Sequence, residues 1–322
     1  MVFILAAFGG ANSAMGQEKA GKDQSHKAPD YISMANLDRE GAQDFKTLRK
    51  AFRSQNPGYD LEYFQQTNRI DPMPVERILF LQQGSGTATI STGESSRVSV
   101  GDIVLLHKRE VLTTDSLIDM LAFEVPEKPD QSVPRFIRPD WDPSITDAPG
   151  GCAADTGAYR RILLTWESEV GPYQYHALNA HRVRITNSFT HYHPQEGGFE
   201  EFYLVQRARP GAKLITSNQL DLIRNYDKLS RKDLSGLMQE TPLEEGDLVY
   251  IPRGIVHRGY GGALVQVITV PGFVPGQEYG VDRFIHKINQ KFKLTAPDTL
   301  PYYHKAIEQE RHEDAKEQAA TY

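Results

Sequence analysis

At 322 residues the chain exceeds one typical domain of about 100–200 residues, and 39% hydrophobic, 10% aromatic and 24% charged residues give it a globular composition with a sizeable core. A net charge of −6, with no Lys/Arg block interleaved with aromatics, argues against a nucleic-acid or anionic-membrane surface. The single cysteine, Cys152, can form no internal disulfide and has no neighbour for a paired-cysteine metal or redox motif.

Residues 2–10 are apolar (VFILAAFGG) and are followed by small residues up to Gly16 and then by a charged stretch. This profile predicts an export signal over 1–16, with Ala14 and Gly16 at the cleavage positions, and a periplasmic protein; no Lys or Arg precedes the apolar run, and an uncleaved chain would be cytoplasmic. No membrane helix is expected after the signal.

Within 17–64, residues 17–35 read as a polar, disordered segment, and Phe45, Leu48 and Phe52 at helical spacing predict a short helix ending near Asn56-Pro57-Gly58. From Arg77 onward, ILFLQ, TATIST, SRVSVGDIVLL and DMLAFEVP, broken by glycines, predict the hairpins of an all-β domain over 65–127. Residues 128–160 are rich in Pro and Asp and read as a linker or strap. Strand patterns resume over 161–275, interrupted between Gly211 and Glu245 by a polar insertion that reads as a lid or a solvated loop. Within 276–322, Val281, Ile285, Ile288 and Phe292 predict a helix, followed by a charged tail.

The two β regions repeat one another. Gly101 to Leu112 aligns without gaps on Gly246 to His257, which predicts an internal duplication.

The second copy concentrates the chemistry. It holds His191-Tyr192-His193, the pair Glu200 and Glu201, and a run in which Gly246, Pro252, Gly254 and His257 recur at fixed spacing. Histidines at i and i+2 on a strand share a face, and a carboxylate and a third histidine from neighbouring strands complete a three-nitrogen, one-oxygen site. Such a set suits Fe, Mn, Ni, Zn or Cu and leaves coordination positions open for substrate. Adjacent strand residues face opposite ways, so only one of Glu200 and Glu201 can look inward.

These elements resemble the two motifs of the cupin superfamily: HxH with a glutamate before a strand, and the glycine-proline-histidine run. The second motif matches through its histidine; Gly261 stands where asparagine is usual, and the loop after His193 is longer than usual. The resemblance covers 65–127 and 161–275. It implies an all-β fold of two double-stranded β-helix (jelly-roll) barrels in tandem with short flanking helices. It also implies one divalent metal ion (Fe, Mn, Zn or Ni) held by His191, His193, Glu201 and His257. The family pattern places an apolar residue directly after the carboxylate ligand and a small residue seven later; Phe202 and Ala208 rank Glu201 ahead of Glu200, with Glu196 third. In the first copy Arg77 and Leu112 stand at the ligand positions and no HxH precedes them, which predicts a metal-free barrel.

The function implied is that of a metalloenzyme acting on a small oxygen-rich substrate such as a sugar acid, of isomerase or lyase type. The Glu-Glu-Phe-Tyr sequence locally resembles the sugar-acid isomerase cupins. The alternatives are an Fe(II)-dependent dioxygenase and a non-catalytic periplasmic small-molecule-binding cupin. The expected partner is a small molecule, and a homodimer is compatible with every reading. Tyr203, Tyr250, Arg182, Arg184 and Gln266 are left open between substrate contact and packing, while Trp141 and Trp166 read as packing residues.

Overall fold

The computed structural model describes residues 28–39, 42–151 and 159–308. The export-signal reading, Cys152 and the tail beyond residue 308 lie outside them. The strands are β1 (Ser33–Asn36), β2 (Asp60–Ile70), β3 (Glu76–Gln83), β4 (Ser85–Ile90), β5 (Ser95–Ser99), β6 (Ile103–Leu106), β7 (Leu112–Val125), β8 (Phe136–Ile137), β9 (Arg160–Leu164), β10 (Asn179–Asn187), β11 (His191–Tyr192), β12 (Glu200–Ala208), β13 (Lys213–Ser217), β14 (Gln239–Pro242), β15 (Asp247–Ile251), β16 (Val256–Val270) and β17 (Tyr279–Gly280). The helices are α1 (Ala42–Gln55), α2 (Leu220–Arg224) and α3 (Asp282–Phe292). No helix among the described residues is long and apolar enough to cross a membrane.

Strands β2 to β8 form one sheet in the order β5-β4-β7-β3-β6-β8, with β2 added on β7. The other sheet runs β1-β15-β12-β16-β10-β9, with β11 and β13 also on β16. The fold is all-β and jelly-roll in type.

The duplication is visible in the ladders. Arg77 lies opposite Leu106 and Glu124, and Glu201 lies opposite Ile251 and Thr269. The offset that relates Gly101 to Gly246 also relates these partners. Both glycines have positive φ, at 98° and 88°, because the turn into the following strand needs the left-handed region that glycine enters freely.

Alternation along each strand divides the cores. On β3, Leu79 and Leu81 close on one apolar cluster within the first sheet, while Ile78 and Phe80 face another shared with the second sheet. On β12, Tyr203 and Val205 fill the second barrel, and Phe202 and Leu204 face the shared core. Phe52 of α1 sits at the centre of that shared core, fully buried, with edge-on contacts to Phe123 at 6.1 Å and Phe202 at 5.0 Å. Truncating a buried phenylalanine costs about 3–5 kcal/mol, so Phe52→Ala is expected to lower the thermal midpoint by several degrees and to loosen both sheets, as read by calorimetry.

Three expectations need correction, and one strand, β2, was not expected. Residues 33–35, placed in a disordered stretch, form with Asn36 the strand β1 on the edge of the second sheet, anchored by the buried Ile32, Ala35 and Leu37. Strand β2 escaped notice because it is a half-exposed strand with many polar residues, paired only with β7. The insertion is neither lid nor solvated loop. Its ends are β13 and β14, and its middle packs Ile223, Leu229 and Leu237 against Ile285 and Ile288 of α3. Trp141 is no packing residue: it is 69% exposed, with the Arg138 guanidinium over its ring at 5.2 Å.

Candidate metal centre

His191 and His193 flank Tyr192, and His257 follows Val256. Tyr192 and Val256 are buried in the apolar cluster under α3, so alternation turns the three histidines to the opposite, barrel-facing side. His191 pairs directly across from His257 in the β11–β16 ladder. Glu201 approaches from β12, with its carboxylate oxygens 3.4 Å from His257 Nε2 and 3.8 Å from His193 Nε2. One ligand atom from each of the four residues lies within 4.8 Å of every other.

The outer nitrogens of the rings are fixed by the backbone. His257 Nδ1 donates to the Ile255 carbonyl at 2.9 Å, and His191 Nδ1 to that of Phe189 at 3.4 Å. This tautomer leaves the Nε2 lone pairs facing the centre. There the Nε2 atoms of all three histidines and Oε1 of Glu201 are buried without a hydrogen-bond partner. Burial, reinforced by His257, holds His191 and His193 well below the usual histidine range and keeps them neutral. Burial also opposes the charged form of His257, but the Glu201 carboxylate outweighs it and the net shift is upward. Buried, unpaired donors of this kind are what a divalent cation satisfies, so the cluster could hold one metal ion.

Tandem jelly-roll sheets in matching register, with the three-histidine, one-glutamate cluster inside the second, decide the architecture. It is the cupin fold. No family model and no curated protein matches this chain. Solved structures to which it is similar include an oxalate decarboxylase of Bacillus subtilis, at 11% identity and a TM-score of 0.45, covering 75% of this chain and 77% of that one. They also include the cupin 2 conserved barrel domain protein of Leptotrichia buccalis, at 11% identity and a TM-score of 0.38, covering 67% and 85%. A third is a salicylate 1,2-dioxygenase of Pseudaminobacter salicylatoxidans, at 12% identity and a TM-score of 0.40, covering 66% and 70%. The likeness is one of fold, and nothing of those proteins' chemistry follows from it.

Glu200 faces away from the cluster. Its carboxylate accepts hydrogen bonds from Tyr250 Oη and Asn56 Nδ2 at the shared core, and burial raises its pKa against those two donors. Glu196, the third candidate, is not in the cluster. Gly261, the departure from the motif, has a φ of 89°, and a side chain there would run into the Gly211 carbonyl.

In the first sheet Arg77 and Leu112 occupy the places of Glu201 and His257. Arg77 is buried and donates to the Asp71 carbonyl at 2.8 Å. His107 has its own partner, with Nδ1 at 2.7 Å from Glu76 Oε2. Elemental analysis of chelator-washed, remetallated protein is therefore expected to give one metal per chain; two would mean that the first barrel binds as well.

A cavity of about 240 Å³ reaches Glu201 from outside, lined by Thr165, Asn179, His181, Thr269 and Phe273, with Arg160 and Glu278 at its wall. Glu278 Oε1 is 3.8 Å from His191 Nε2, and burial together with the Glu201 charge pushes its carboxyl up to about 7. Burial, with Arg160 nearby, keeps His181 neutral.

None of the five strand residues left open lines this cavity. Tyr203 points into the barrel but is packed among its apolar residues, and Tyr250 faces the shared core. Arg182 bonds Gln206 at 2.7 Å and Asp140 of the connecting segment at 2.6 Å, and Gln266 donates to the Gly101 carbonyl of the first sheet at 2.8 Å, so both serve packing between parts of the fold. Arg184 shares the outward parity of Arg182. Sequence reasoning missed Arg160, His181 and Glu278. No sequence pattern singled them out: Arg160 opens β9 beside Arg161, His181 precedes Arg182 in the mixed stretch of β10, and Glu278 sits just before the two-residue β17.

Proposed function

We propose that this cupin is a metal-dependent enzyme acting on a small, oxygen-rich acid, of isomerase or lyase type, with His191, His193, Glu201 and His257 as the metal ligands. The observation that carries the reading is the set of four inward-facing, unpartnered ligand atoms, of which that of Glu201 also belongs to the lining of a cavity whose wall holds a guanidinium and a second carboxylate. A divalent ion bound there supplies Lewis acidity toward a substrate oxygen. Arg160 orients an anionic end of the substrate by a charged hydrogen bond. Glu278, the carboxylate beside His191, is placed to move a proton at the substrate carbon or hydroxyl. The enclosed, partly apolar walls of Ile162, Leu164 and Phe273 keep bulk water from the reacting atoms.

The test is metal analysis of the purified protein, followed by assays of sugar acids and related hydroxy acids with oxygen uptake recorded in parallel. Turnover without oxygen uptake, lost in Glu278→Gln at unchanged metal content, is the expected result. Iron with substrate-dependent oxygen uptake would replace this reading by a dioxygenase, and ligand binding without turnover by a binding protein.

A further inference from the structure

We propose that the outer face of the second sheet carries a separate binding site for a small oxyanion, centred on Arg258. Arg258 follows His257 on β16, so its side chain leaves the opposite face of the strand from the metal cluster. There a cleft of about 280 Å³ lies between β13, β14 and β16 and the segment 301–304, lined by Arg258, Lys213, Glu240, Tyr260, Tyr302 and His304.

Arg258 is only 3% exposed, yet it forms no ion pair among the described residues. Nη2 donates to Asn187 Oδ1, while Nε and Nη1 are buried without a hydrogen-bond partner. A guanidinium stays protonated at every working pH, and leaving its donors unpaired out of water is costly. Asp282, the buried acid whose charge acts on Arg258, is engaged by the backbone N–H groups of Thr190 and Tyr303 at 2.8 Å each. Lys213 and Glu240 neutralise each other at 2.7 Å, so Arg258 sets the net charge of the cleft. Tyr260 extends its ring beside both cations, at 5.7 Å from Arg258 and 5.8 Å from Lys213. A phosphoryl or carboxylate group supplies the acceptors that Arg258 lacks, and the volume accommodates either on a small molecule.

Calorimetric titration of the full-length protein with inorganic phosphate, and with acetate in parallel, tests the site. Phosphate or acetate is expected to bind, with the tighter of the two naming the ligand as phosphoryl or carboxylate. Arg258→Gln is expected to weaken that binding about tenfold or more. Lys213→Met also weakens it, because Glu240 is left as an unpaired negative charge, and Glu240→Gln strengthens it. Glu201→Gln leaves it unchanged, which separates this cleft from the metal centre. Should Arg258→Gln not fold, the opposed shifts of the Lys213 and Glu240 variants decide. No binding of either anion, binding indifferent to all three cleft substitutions, or binding lost in Glu201→Gln would overturn the proposal.

Discussion

His257→Ala is expected to leave the fold intact and to abolish stoichiometric metal binding, weakening the dissociation constant by at least about 100-fold, since even the outer partners of metal ligands cost 10–100-fold. The reason is geometric. His257 lies opposite His191 in the ladder and beside Glu201, so its loss opens one whole side of a cluster that β16, β11 and β12 each help to build. Metal content by elemental analysis, with circular dichroism as the control for folding, checks the result. Full occupancy in a folded variant would reduce His257 to a packing residue.

Glu201→Gln and Glu200→Gln should part company by a comparable margin. Glu201→Gln removes the only carboxylate within the four-residue cluster and should weaken metal binding about 100-fold, since an amide carries no charge to offset a divalent ion. Glu200→Gln should leave metal affinity nearly unchanged and lower stability by about 1–3 kcal/mol, because Tyr250 and Asn56 lose a charged acceptor in the shared core. Metal titration and thermal unfolding of both variants give the comparison. The reverse ranking would shift β12 by one residue and turn Glu200 inward.

Much of the site was legible from sequence because its determinants are local. Alternation along a strand fixed that His191 and His193 share a face and that one glutamate of the pair must turn away, and the motif spacing from Gly246 to His257 set the third histidine on the neighbouring strand. The gapless match of Gly101–Leu112 to Gly246–His257 likewise carried over into matching ladders, since equal spacing between turn and strand gives equal register. Tertiary structure alone decided the rest. Residues 33–36 have no periodicity that marks a strand, and they become one because β15 presents an unpaired edge to them. Phe52 reads as one apolar position of a short helix, whereas its weight comes from lying where both sheets meet. Arg160, His181 and Glu278 reach one cavity from three distant stretches of chain, and Arg258 becomes a buried cation only when the segment 301–304 folds over it. Local sequence encodes which way a side chain faces, and long-range packing determines what stands in front of it.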